Sequence, residues 1–228
     1  MFLGHYGIAF AAKRAAPRTS LGALTFAAEF LDELWPILLL AGVEHVRIVP
    51  GLMAASPLEF TSYPYSHSLL MALVWAALIG AIYFASRRYG RGGWILALLV
   101  VSHWVLDVPM HAKDLPITPW SDTKLGWGLW NSVPATYVIE FAIYAIGIAI
   151  YLRATRARDK IGVWGLWAYI VVLAAIFLSG NRTPPPSERA LALTTLFIWL
   201  FVPWAYWVDK HRYTVVRTVT TEPSKPTR

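Results

Sequence analysis

The sequence predicts an all-α integral membrane protein: a polytopic bundle of six transmembrane helices preceded by a short N-terminal helix. Three observations carry that expectation. Hydrophobic residues make up 57% of the 228 and charged residues 14%, against about 45–50% and 25% in a soluble domain. Six apolar runs, at residues 20–43, 66–86, 93–110, 133–152, 162–180 and 189–208, approach the roughly 20 residues that a helical span requires. Basic residues then crowd into alternate loops.

Taken in order, residues 1–12 are apolar but shorter than a span, and Lys13-Arg14 follows them. The segment lacks the basic start and small-residue cleavage site of a signal peptide, so it is expected to be retained. It either lies at the membrane surface or inserts from outside as a short buried helix carrying His5. The six spans follow, separated by Tyr89-Gly90-Arg91-Gly92-Gly93, the Pro116/Pro119 stretch and Pro184-Pro185-Pro186, all of them turn signals. Twelve tryptophans and eleven tyrosines suit two interfacial belts. Residues 1–212 form the expected membrane domain. The polar stretch 213–228 reads as a disordered cytoplasmic tail.

Orientation comes from the charges. One set of loops holds Lys13, Arg14, Arg18, Arg87, Arg88, Arg91, Arg153, Arg156, Arg158, Lys160, Lys210, Arg212, Arg217, Lys225 and Arg228, 15 of the 20 Lys and Arg. The other loops hold Arg47, Lys113, Lys124, Arg182 and Arg189. The positive-inside rule places the first set, with the C-terminus, in the cytoplasm. The net charge of +7 thereby has an explanation in membrane topology, and no nucleic-acid partner is expected. With no cysteine in the chain, disulfides and thiolate metal sites are excluded.

Chemistry is expected where ionisable groups enter the apolar runs, because such groups cost a few kcal/mol each unless paired or bound. His103 and Asp107, four residues apart, share one helix face. His67 opens another span, Asp32 sits mid-way along the first with Glu29 and Glu33 beside it, and Glu44 and His45 follow that span. His5 falls at similar depth if the N-terminal segment inserts. Histidine and aspartate are zinc ligands that leave a coordination position open for water, and Asp32 stands as bridging ligand or general base. A straight helix sets His103 and His111 about 12 Å apart, so His111 is expected to reach Asp107 only if Pro109 turns the chain. Glu140 reads as an interhelical clasp. His211, between Lys210 and Arg212, reads as facing lipid headgroups.

Gly4-His5, Leu31-Asp32-Glu33-Leu34-Trp35-Pro36, Ser66-His67-Ser68-Leu69-Leu70 and Ser102-His103 with Asp107 occur in fixed order over residues 1–120. This order resembles a bacterial inner-membrane family labelled membrane-bound metal-dependent hydrolase, which includes a LexA-binding protein. The resemblance implies His5, Asp32, His67, His103 and Asp107 as ligands in an inner (plasma) membrane protein. The family's Pro-Asp-x-Asp-His motif is represented here by Asp32 and Glu33 alone, and its His-Arg-Gly by Ser62-Tyr63-Pro64. His103-x-x-x-Asp107 followed by Pro109-Met110-His111-Ala112 also resembles the metal helix of zinc-dependent phospholipase C and P1-type nucleases, implying one or two ions. The expected function is therefore a membrane-embedded hydrolase of phosphoester or phospholipid bonds, using zinc, manganese or iron. Asp32, Glu33, Glu44 or His111 would act as base or further ligand, and membrane lipid or a small molecule would be the substrate. The alternative is a non-enzymatic scaffold or transport accessory held together by a buried polar network.

Overall fold

A computed structural model describes residues 1–180 and 184–215. Arg182 and residues 216–228, most of the expected tail, lie outside the described residues.

All six apolar runs are helical. They form α2 (Leu21–Leu40), α4 (Leu69–Arg87), α5 (Gly90–Met110), α6 (Val133–Ala154), α7 (Lys160–Gly180) and a final pair, α8 (Glu188–Thr195) and α9 (Phe201–Lys210). A 3-10 stretch, Leu196–Leu200, joins that pair. Five helical stretches, Leu69–Arg87, Gly90–Met110, Val133–Ala154, Lys160–Gly180 and Glu188–Lys210, are long and apolar enough to cross a membrane. α2 matches them in length, but Glu29, Asp32 and Glu33 interrupt its apolar character. The chain is a multi-pass membrane helix bundle. Ser20, Ser68, Ser132 and Ser187 cap α2, α4, α6 and α8 by accepting a backbone N–H three residues on, which satisfies donors no helix can satisfy internally.

The short N-terminal helix, α1 (Leu3–Ala15), is the centre of the bundle rather than a surface element. Leu3, His5, Tyr6, Ala9 and Phe10 are at most 1% exposed. One side of α1 packs into a cluster with α2 and α5, through residues such as Leu24, Leu31 and Val100. The other joins Tyr144, Tyr151, Tyr169 and Phe201 of α6, α7 and α9. Its contact with α6 is the most extensive in the fold. Gly7 and Gly147 make it possible: a Cβ on Gly147 would fall on the Gly7 carbonyl, and one on Gly7 would meet the Ile143 backbone. Small residues let helix backbones approach in lipid, where burial of apolar surface offers little drive. Glu140 of α6 completes the joint, accepting the N–H groups of Phe2 (2.9 Å) and Gly4 (2.8 Å).

The sequence reading contained no sheet, yet β1 (His45–Met53) and β2 (Ser56–Ser62) form an antiparallel hairpin after α2. Neither strand carries a sustained apolar–polar alternation. The hairpin sits at one end of the bundle with the 112–131 segment, since the Ala55 N–H donates to the Trp130 carbonyl and Leu70 N–H to Ile117. The opposite end gathers the basic loops. There Lys13 is only 4% exposed and bonds Asp209 at 2.8 Å, and Thr155–Ala157 pairs with Arg212–Thr214. Tyr213 and Thr214, placed by the sequence at the start of the tail, thus belong to a strand pair. His211 bonds Asp159 at 2.7 Å at the same end, remote from the other histidines.

Candidate metal centre

Four elements deliver the site. α1 brings His5, α2 brings Asp32, the single turn α3 (Pro64–His67) brings His67, and α5 brings His103 and Asp107. Ser68 ends the α3 turn in extended conformation and caps α4, so His67 projects inward just before the span begins. His5, His67, His103, Asp107 and His111 are 0–3% exposed, whereas the Asp32 side chain is 26% exposed.

Asp107 is the hub. Its Oδ2 lies 3.3 Å from His103 Nε2 and 3.9 Å from both His67 Nε2 and His111 Nε2. Its Oδ1 lies 3.2 Å from His5 Nε2 and 2.5 Å from the Met1 amino nitrogen. Asp32 Oδ1 stands 3.3 Å from His67 Nε2 and 3.7 Å from His103 Nε2. The His5 and His103 rings stack at 3.7 Å. His5, His103 and Asp107 form one group able to hold an ion, and Asp32, His67 and His103 another.

No chain reversal brings His111 in. α5 continues through Pro109 to Met110, with the His111 N–H still donating to the Asp107 carbonyl at 2.9 Å. Asp107 lies mid-way, four residues from each histidine, and the two imidazoles reach it from either side along the same face.

The outer nitrogens are held as well. Glu44, 1% exposed, accepts from Tyr65 N–H and Ser66 N–H (both 2.8 Å) and from Ser66 Oγ at 2.6 Å. Ser66 Oγ in turn lies 2.8 Å from His67 Nδ1. With its own proton given to Glu44, the serine accepts from Nδ1–H, which leaves the Nε2 lone pair facing Asp32. His103 Nδ1 donates to the Ala28 carbonyl at 2.7 Å, leaving Nε2 fully buried with no hydrogen-bond partner among the described residues. His111 Nδ1 faces Asp114 at 3.1 Å. Tyr63 donates to the same carboxylate at 2.7 Å; burial, and next the Asp114 charge, hold its phenol well above the usual pKa, so it remains a donor. Fixed tautomers with the free nitrogen turned inward are the outer-shell pattern of metal-binding histidine.

A divalent ion fits this donor set. Atoms 2.0–2.2 Å from a tetrahedral zinc stand roughly 3.3–3.6 Å from one another, close to the 3.3 and 3.7 Å from Asp32 to His67 and His103 and the 3.3 Å from Asp107 to His103. Since His103 has one free nitrogen, both three-residue groups depend on the same atom.

Other expected residues fall elsewhere. Glu33 is fully buried but lies off the cavity beside the site; Glu29 and Asp32 line it. Consecutive helical residues point about 100° apart, so Asp32 and Glu33 diverge. The carboxylates of Glu29 and Glu33 have no hydrogen-bond partner among the described residues. His45 is exposed at the hairpin start. Sequence reasoning missed Ser66, Tyr63 and Trp130, whose ring stands 4.3 Å from His111. Ser66 had a signal, since Ser-His-Ser places a hydroxyl beside each side of the imidazole; Trp130 had none.

Fold and site together define a multi-pass membrane protein with a histidine–carboxylate cluster buried inside its bundle. The chain belongs to the YdjM inner membrane protein family, whose model matches residues 4–184, a stretch containing all five residues expected as ligands. No curated protein and no solved structure matches. The family match lends no support to the likeness to phospholipase C and P1-type nucleases.

Glu44→Gln is expected to weaken metal binding by roughly 10–100-fold, the usual cost of an outer-shell partner. Glu44→Asp should recover part of it. Competition with a chromophoric chelator reads both; wild-type affinity in Glu44→Gln would show that the Glu44–Ser66–His67 chain does not tune the site.

Proposed function

We propose that this protein is a membrane-embedded, metal-dependent hydrolase acting on phosphoester bonds of lipids or other amphiphiles. The observation that carries the reading is the convergence of Asp32, His67 and Asp107 on the Nε2 of buried His103, which has no hydrogen-bond partner among the described residues. These residues would hold an ion at His103, with Asp32 and His67 on one side and Asp107 and His5 on the other. Nitrogen and oxygen donors suit zinc first, with manganese and iron as alternatives. Such an ion, when bound, supplies Lewis acidity and water activation at neutral pH.

The chain's own groups do the rest. A cavity of about 620 Å³ opens on Asp32, His67, Asp107 and His111, a size that suits a small ligand. Phe2, Trp35, Leu58, Phe60 and Trp130 wall it, so an apolar substituent is accommodated while its polar group meets the cluster. Glu29 lines the same cavity with both carboxylate oxygens unpartnered among the described residues. It accepts the proton of the attacking water in place of the off-cavity Glu33. Asp114 orients His111, whose inward Nε2 faces the cluster and is placed to take up a proton and pass it to the leaving group.

Metal analysis and phosphodiester and phospholipid turnover of the purified protein test the proposal. Protein that is metal-free, resists loading with zinc or manganese and cleaves no phosphoester would instead support the scaffold reading. The alternation of basic loops supports a cytoplasmic C-terminus and a site in the outer half of the bilayer. Because the chain has no native cysteine, single cysteines at Trp120 and Lys210 report directly. An impermeant reagent added outside should mark only position 120, and the reverse pattern would invert the topology.

A further inference from the structure

Away from the metal centre, α2, α4 and α9 enclose a groove of about 1050 Å³. Its floor is apolar, with Phe26, Phe30, Ile79 and Val202 among its residues. Leu78 and Ile82, 47% and 59% exposed, form its open lip. Along α4 it runs from Trp75 to Arg87, twelve residues or roughly 18 Å at helical rise. That is close to one leaflet of a hydrocarbon core about 30 Å thick.

One end of the groove is charged. Arg18 and Arg87 both line it and are exposed. Arg18 lies over the Tyr89 ring at 4.6 Å, and Lys210 lies 4.7 Å over Tyr206, another lining residue. None of these three cations has a carboxylate partner within ion-pair distance among the described residues. Ser20 and Ser86 add hydroxyls at the same end. A leaflet-deep apolar channel ending in three cations and hydroxyls matches a lipid with acyl chains and a negatively charged head. Basic pockets between membrane helices recognise such headgroups.

We propose that this groove binds one anionic phospholipid of the surrounding bilayer, with an acyl chain between α2 and α4 and the phosphate at Arg18 and Arg87. The site is independent of the hydrolase reading, because its lining shares no residue with the metal cavity. It ties the loop between α1 and α2 to the ends of α4 and α9, and so braces the helix that carries Asp32.

The test is native mass spectrometry of the detergent-purified protein with phosphatidylglycerol or phosphatidylcholine of identical acyl chains. Wild type should retain one phosphatidylglycerol in preference to phosphatidylcholine. Arg18→Ala with Arg87→Ala should reduce that preference by roughly fivefold per residue, the usual effect of one basic group near anionic lipid. Ala23→Trp, which fills the groove, should abolish retention of both lipids. Arg153→Ala, exposed and outside the groove, should change nothing and shows that net charge alone is not read. Equal retention of the two lipids by wild type, or an undiminished preference in the double arginine variant, would overturn the proposal. So would a wild-type dimer that Ala23→Trp dissociates, since the groove would then be filled by a second copy of the chain.

Discussion

Asp107→Asn is expected to empty the metal centre while leaving the bundle assembled. The change keeps the shape of the side chain but removes its charge and replaces one acceptor oxygen by a donor. Asp107 faces four imidazoles, with Oδ2 towards His67, His103 and His111 and Oδ1 towards His5. Whichever way the new amide is turned, either that trio or His5 meets an NH₂ group in place of an oxygen. The loss should exceed the roughly 10–100-fold caused by removing an outer-shell partner. Two measurements check it. Metal per chain after purification should fall to background. Added zinc at about 100 times the wild-type Kd, which stabilises a folded protein by roughly 2.7 kcal/mol, should raise the wild-type melting temperature and leave the variant's unchanged. Full occupancy in Asp107→Asn would remove Asp107 from the ligand set. Asp32→Ala should behave differently: it removes one oxygen on the open side of the cluster, so residual metal with lost turnover is the expected result.

The second large effect is expected from a residue with no side chain. Gly147→Leu puts a branched side chain where the α6 backbone rests on the Gly7 carbonyl. Overpacking of a core costs about 1–3 kcal/mol when side chains can yield; here the obstacle is backbone, so the effect should reach the upper end. α1 must then move off α6, taking His5 with it and separating Phe2 and Gly4 from Glu140. The expected outcome is a lower melting temperature together with reduced metal content, although Gly147 touches no ligand. Ala149→Leu, on the exposed face of the same helix, is the control and should be close to neutral. A Gly147→Leu protein with wild-type stability and metal content would show that α1 is not held by this crossing.

The helices were legible because each span is a long local signal. Apolar runs of about twenty residues announce themselves whatever their neighbours are, and all six became helical. The hairpin at 45–62 was not legible: its nine- and seven-residue strands lack the sustained alternation that separates strand from loop, and its pairing lies between segments. That His67, His103, Asp107 and Asp32 share one level of the bundle was also legible, since each stands at a countable position within a run. Their convergence on one carboxylate was not. Counting along α5 placed His111 about 12 Å from His103 and made a turn at Pro109 seem necessary. The helix instead stays intact, and Asp107 lies between the two rings.

By itself the sequence determined that this chain crosses a membrane, which segments form the long helices, which loops are basic and which ionisable groups stand within the apolar runs. These follow from composition and short-range spacing, which do not depend on where the other helices lie. Only the tertiary structure decided that α1 is buried at the centre, that Glu29 rather than Glu33 reaches the cavity, and that Glu44 orients His67 through Ser66. Each of those depends on the rotation of one helix against another. A turn of about 100° per residue carries a side chain from cavity to core, and the packing of neighbouring helices selects the angle.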